Sequence, residues 1–270
     1  MKPIVWESSI SDSIMPKIKA KEQKWGTWGA DDLPHLWDAY AEDDFSKIHK
    51  LPCYKQIDKT LESFFVRKLG SHILDAGCGD GMLFEPILKS IHPFLLTGVD
   101  LSEKMLIGAK KQAHKLQKHN FGYFNIKLEL RDLSNKFPWI DDCFDAVVSN
   151  MFSCFVPSPW EFVMRELHRV TKDEGYIYLT TFLASWDFAE VVKKHTLSEA
   201  LRSPIGLYHG LRLKKHPARI TEIAKKAGLT HPYRDEIIAF FKNLGAKEIL
   251  AEEIFWGAGV ALRVQAKKII

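Results

Sequence analysis

From residue 71 onward, short unbroken apolar runs alternate with segments in which apolar residues recur every three or four positions. That alternation folds as parallel strands covered by helices on both faces. His72 to Ala76 is the first predicted strand. A helix over Met82 to Ser90 follows, then a strand over Phe94 to Asp100, then a helix capped by Ser102 and running to about Lys118. Ile126 to Leu130 and Asp145 to Asn150 are the third and fourth strands, with the aromatic turn Phe137 to Ile140 between them. Ser158-Pro159-Trp160-Glu161 combines a capping serine, a proline at the first helical position and a glutamate three residues after the cap, so a helix is expected from there to about Val170. A turn over Lys172 to Glu174 then enters a fifth strand, Gly175 to Phe182. Near the end, Gly245 stands where a helix is capped, and β-rich segments at about 249–255 and 260–266 imply a terminal hairpin.

Two stretches fall outside this alternation. Residues 1–69, with Trp6, Trp25, Trp28, Trp37 and Tyr40, read as an N-terminal helical arm. Residues 70–270 read as one main domain, interrupted at about 184–236 by an inserted cap that carries Trp186, Tyr208, Tyr233 and the four histidines His195, His209, His216 and His231. Both are candidate lids, because loops at the carboxyl edge of an open α/β sheet bind ligands. No internal repeat or low-complexity segment is present.

Composition narrows the class. In 270 residues, 38 basic residues against 34 acidic ones give a formal net charge of +4, too balanced to require a nucleic-acid partner. Cys53, Cys78, Cys143 and Cys154 are widely spaced with no CxxC pair, which suggests neither a zinc site nor a disulfide framework and fits reduced thiols in the cytoplasm. No apolar run reaches signal-peptide or membrane-spanning length. No histidine and carboxylate grouping at ligand spacing compels a metal. The basic clusters around Lys193 to His195 and Lys214 to His216 read as solvated faces.

The chemistry concentrates after the first strand, in Asp75-Ala76-Gly77-Cys78-Gly79-Asp80-Gly81. Glycines let a backbone turn sharply and approach a ligand, while the loop amides and the next helix N-terminus face the same space. Asp100, 25 residues after Asp75, ends the neighbouring strand, where a carboxylate can accept hydrogen bonds from both ribose hydroxyls. A dinucleotide fingerprint would need a third glycine where Met82 stands. Asp75 also repels a pyrophosphate and suits a cationic amino group.

These residues reproduce the DxGxGxG loop of the class I, Rossmann-like S-adenosylmethionine-dependent methyltransferases, and the chain resembles the small-molecule members of that family over about 71–182 and in the terminal hairpin. The resemblance implies a three-layer α/β sandwich. Its mostly parallel seven-stranded sheet has the order 3-2-1-4-5-7-6, with an antiparallel last strand. It implies S-adenosyl-L-methionine as cofactor, held by Asp75, Gly77, Cys78, Gly79, Gly81, Asp100 and Leu101. Asp132 then takes the adenine amino group, Leu133 offers its amide to the ring, and Asn150 lines the pocket near the methyl donor. Trp37-Asp38-Ala39-Tyr40 resembles the aromatic motif that covers the methionyl end in many small-molecule members, and a sulfonium beside an aromatic face is favourable.

Departures limit the acceptor. Asn150-Met151-Phe152-Ser153 is not the N/D-P-P-Y/F motif of enzymes that methylate exocyclic amino groups of nucleic acids. Cys154 does not follow a proline, as the nucleophile of cytosine-C5 enzymes does. The implied function is methyl transfer to oxygen, nitrogen or carbon of a small metabolite by a cytoplasmic monomer or homodimer, with no membrane or nucleic-acid partner. If oxygen accepts, His209 or His216 of the cap is the expected general base. Methylation of RNA or protein, a catalytically silent cofactor-binding subunit, and an oxidoreductase are the alternatives.

Overall fold

The structure is a computed structural model and describes residues 33–42, 52–64, 72–91, 95–118, 124–156, 158–184, 231–254 and 259–266. Two helices, α1 (Leu33–Glu42) and α2 (Pro52–Phe64), precede the alternation β1 (His72–Ala76), α3 (Phe84–Ile91), β2 (Leu95–Asp100), α4 (Glu103–Lys118) and β3 (Asn125–Leu130). Then come β4 (Phe144–Asn150), a single 3-10 turn (Ser153–Phe155), α5 (Trp160–Val170) and β5 (Thr171–Phe182). The end of the chain supplies α6 (Arg234–Asn243), β6 (Glu248–Ile254) and β7 (Gly259–Gln265).

The strands form one seven-stranded sheet in the order β3-β2-β1-β4-β5-β7-β6, as expected. β1 to β5 are parallel, and β7 runs antiparallel between β5 and β6. One face of the sheet is packed by α2, α3 and α4 through Ile57, Leu61, Phe84, Ile87 and Leu106. The other face is packed by α5 and α6 through Val163, Leu167, Ile237 and Phe241. Side chains buried this completely each stabilise the fold by about 1.5 to 3 kcal/mol relative to exposure. The middle strands are apolar on both faces because both faces are covered.

Although it belongs to the N-terminal stretch, α2 is a core helix. Thr60 Oγ1 lies 2.7 Å from the Tyr178 hydroxyl on β5, that hydroxyl donates to Ile57 O at 3.1 Å, and Gln56 Nε2 donates to Glu253 O on β6 at 3.1 Å. A phenol buried in an apolar layer needs such partners.

Three local expectations are corrected. α3 starts at Phe84 rather than Met82, because Gly81, at φ 81°, extends the turn: its amide donates to Cys78 O at 3.0 Å and the Phe84 amide to Gly81 O at 3.1 Å. Pro159, not Ser158, occupies the cap position of α5, and the Ser158 hydroxyl instead donates to Ser134 O at 2.5 Å. The segment 172–174 is not a turn before β5 but an irregularity inside it. Thr171 already pairs with Phe144, and Glu174 takes φ 60° before pairing resumes at Tyr176. At the other end of the chain, Gly245 closes α6 as expected, with φ 86° and its amide on Lys242 O, while Ala246 N reaches Phe241 O.

Candidate functional site

β1, β2 and β4 all end at one edge of the sheet, and each carries a polar residue there. β1 delivers Asp75, which is 1% exposed, and none of the described residues gives either carboxylate oxygen a hydrogen bond. Burial, and then the charge of Asp100, push its pKa up to about 8. A buried carboxylate without a partner is costly. Among amino-acid-derived ligands, an ammonium is the group that relieves it.

The glycine loop is held open by its own backbone. Gly77, Gly79 and Gly81 have φ of 73°, 56° and 81°, the left-handed region. The amides of Gly77 and Cys78 both donate to Val99 O, at 2.8 and 2.9 Å, which ties the loop to β2. A Cβ on Gly77 would stand 2.6 Å from the side chain of Phe152, so that ring covers the loop from the β4 side. Cys78 is buried and burial pushes its thiol pKa well up, so it is a spacer and no nucleophile.

Asp100 does more than the sequence suggests. Its Oδ2 accepts the Gly79 amide at 2.9 Å and its Oδ1 accepts the Ser102 amide at 2.9 Å. It therefore staples the loop to the start of α4, and each oxygen keeps a second lone pair for a hydroxyl. Burial raises its pKa against the opposing effect of those amides. Leu101 joins the two. Asp80, within the loop and against Gly108 of α4, is pushed up to about 6, again by burial. The loop thus gathers three carboxyl groups whose ionisation is suppressed, a setting that favours a cation over an anion.

Beyond β3, Asp132 is exposed and its Oδ1 accepts the Ser134 amide at 2.7 Å, while Leu133 is buried in the α5 and α6 layer. At the end of β4, Asn150 is half-buried and its Oδ1 accepts the Thr180 hydroxyl at 2.6 Å. Next to it Met151 takes φ 55°, and the Cys154 thiol donates to Met151 O at 3.0 Å. Burial pushes Cys154 up to about 12, which makes it structural.

Trp37 lies edge-on to Phe155 of the 3-10 turn, with ring centroids 5.2 Å apart, and Phe155 lies edge-on to Phe182 at 6.2 Å. An aromatic row thereby borders Asn150 on the β4 and β5 side. Tyr40 is placed on α1. His209, His216 and residues 185–230 of the expected cap lie outside the described residues. His72, at the start of β1, is at the opposite edge, whereas His231 lies next to Pro232, whose carbonyl accepts the Ala184 amide just past β5 at 2.9 Å.

The structure also brings in Asp38, Phe152 and Thr180, which sequence reasoning did not single out. Asp38 lay inside the quoted aromatic motif, so its place beside Trp37 was the available signal. Phe152 lay inside the tetrapeptide Asn150-Met151-Phe152-Ser153, read only as a departure from a motif, and Thr180 carried no signal. Among the described residues no cluster of histidines, cysteines and carboxylates suits a metal, and no helix is long and apolar enough to cross a membrane.

Residues 74–179 match the family model of the methyltransferase domain. A ubiquinone biosynthesis O-methyltransferase of Coxiella burnetii is 26% identical over 179 residues, covering 62% of this chain and 70% of the relative. One from Pseudomonas syringae pv. tomato is 33% identical over 177 residues, 64% of each chain. Other Coxiella burnetii relatives of the same name are matched over only 44% of their length. Among solved structures, the N-methyltransferase NodS of Bradyrhizobium japonicum superposes with a TM-score of 0.58 at 11% identity, covering 87% of this chain and 99% of that one. A Haloferax volcanii putative methyltransferase, seen in complex with the activator Trm112, superposes with 0.59 at 15% identity, covering 86% and 97%. At such identities the structural likeness establishes the fold.

Proposed function

We propose that this chain, whose residues 74–179 match the methyltransferase domain model, is a class I S-adenosylmethionine-dependent methyltransferase that methylates a hydroxyl oxygen of a small, flat, largely apolar acceptor. The observation that carries this reading is the aromatic row Trp37, Phe155 and Phe182 beside one oriented amide, that of Asn150. Such a wall favours an aromatic ring, and one polar donor suits one oxygen. The names of the sequence relatives support oxygen as the acceptor atom.

The donor side follows from the loop. Asp75 would hold the ammonium of the methionyl group, Asp100 the ribose hydroxyls, and Asp132 and Leu133 the adenine edge, with the loop backbone against the sulfur. When bound, S-adenosylmethionine supplies a sulfonium methyl that is already a strong electrophile. The protein's part is to align acceptor and donor and to exclude water. Trp37 and Tyr40 of α1 would cover the methionyl end, in keeping with residues 1–69 acting partly as a lid.

A hydroxyl acceptor is helped by a base that is neutral near pH 7. His231 stands beside the correct edge of the sheet, and burial holds its imidazole below its ordinary pKa. It joins His209 and His216 as a candidate general base. The same reading places the protein in the cytoplasm, as a monomer or homodimer without a nucleic-acid partner.

The test is to offer the full chain methyl-labelled S-adenosylmethionine with hydroxylated aromatics, aliphatic alcohols and aromatic amines, and to locate the new methyl by mass spectrometry. O-methylated aromatics are the expected products. N-methylation, or label carried only by added RNA or protein, would overturn the assignment.

A further inference from the structure

Asp38 lies on α1, yet its Oδ1 accepts the hydroxyl of Ser102 at 2.5 Å and the amide of Lys104 at 3.3 Å. Ser102 is fully buried and is the residue whose backbone amide binds Asp100. We propose that Asp38 is a positioning residue of the donor site: by holding the Ser102 hydroxyl it fixes the residue that aims the Asp100 carboxylate, and it makes α1 a strap across the end of β1.

The hydrogen bonds form a chain with no spare member. The Ser102 hydroxyl accepts the Met105 amide at 3.1 Å as the helix cap and donates its hydrogen to Asp38, so both of its functions are used. The Ser102 amide and the Gly79 amide hold opposite oxygens of Asp100, so any drift of Ser102 rotates that carboxylate against the glycine loop. Asp38 is also close enough for its charge to raise the pKa of Asp100.

Capping α4 explains part of this arrangement, since a carboxylate is favourable at a helix N-terminus. It does not explain where the adjacent residue goes. Trp37 packs on Phe155, beyond β4, while Asp38 reaches Ser102, beyond β2. Those strands flank β1 on its two sides. They lie about 10 Å apart, within the span of two side chains on one helix. Consecutive residues of α1 therefore grip both sides of the strand that delivers Asp75.

The inference rests on reading Asp100 as the donor's ribose ligand. Its test is calorimetric titration of the full chain with S-adenosylhomocysteine, for wild type, Asp38→Ala, Asp38→Asn, Ser102→Ala and the Asp38→Ala/Ser102→Ala double variant, with thermal melts alongside. Asp38→Ala and Ser102→Ala should each weaken binding about five- to tenfold, the cost of one well-made hydrogen bond. The double variant should lose little more than either single one, because both break the same link. Asp38→Asn should bind within about twofold of wild type, since its amide oxygen still accepts the Ser102 hydroxyl. Exchange of amide hydrogens in residues 33–42 should slow on adding ligand in wild type and not in Asp38→Ala. Wild-type affinity in Asp38→Ala, or losses that multiply in the double variant, would overturn the inference and leave the donor site standing. Failure of wild type itself to bind would remove the donor-site reading and the inference together.

Discussion

Thr180 donates its hydroxyl hydrogen to Asn150 Oδ1 at 2.6 Å and accepts the Met151 amide at 3.0 Å. This fixes which end of the Asn150 amide is which: the oxygen faces β5, and the NH2 group is the donor presented at the sheet edge. Replacing Thr180 by valine keeps the shape and removes the lock. Methyl transfer to a phenolic acceptor should fall about tenfold in kcat, the effect of about 1.4 kcal/mol in the barrier, while S-adenosylhomocysteine binds within about twofold of wild type. Thr180→Ser should restore the rate. Steady-state kinetics with parallel titrations check this, and an unchanged kcat in Thr180→Val would contradict it.

Asp75 sets a pH dependence. Its folded pKa of about 8 lies above the ordinary 3.8, so between those values the folded protein binds the extra proton. Its contribution to stability is therefore greatest at low pH and is lost as pH rises through that window. An ammonium ligand needs the ionised form, so affinity for S-adenosylhomocysteine should climb up to about pH 8, by as much as about tenfold per unit. Titrations in two buffers of different ionisation enthalpy should show close to one proton released at about pH 6.5. Asp75→Asn should raise the melting temperature of the ligand-free protein at pH 8 while removing most of the affinity and the pH slope. Affinity that is flat from pH 6 to 8 would contradict this.

Gly77 meets Phe152 too closely to admit a side chain. Gly77→Ala should cost about 1 to 2 kcal/mol for a left-handed L-residue and about 1 to 3 kcal/mol more for crowding the ring. Adding Phe152→Ala relieves the crowding but not the backbone strain, so it should recover part of the lost stability in urea melts. Independent, additive losses would show that the two residues do not meet.

What was legible in the sequence was what repeats locally. β1 and the start of β4 are apolar runs bounded by polar turns, and Asp75 and Asp100 stand at predictable strand ends. Gly245 was readable because a helix exit needs its positive φ. Ser158 misled because its hydroxyl is spent on Ser134 O, a partner 24 residues away. The start of β5 was hidden because Lys172-Asp173-Glu174 has turn chemistry, and the strand absorbs it as an irregularity between Phe144 and Ala146. Asp38, Phe152 and Thr180 act through partners brought together only by folding. Met151 gives no warning of its φ of 55°, since methionine has no preference for that region.

The most direct measurement is transfer of labelled methyl from S-adenosylmethionine to a panel of hydroxylated aromatics by wild type, Asp75→Asn and Asp100→Ala, with each variant's fold verified by thermal melting. Wild type should turn over, and each folded variant should lose at least about tenfold in kcat/KM, as removal of a charge-assisted contact worth about 1.5 to 3 kcal/mol requires. Transfer undiminished in both variants would contradict the roles of Asp75 and Asp100 in holding the donor.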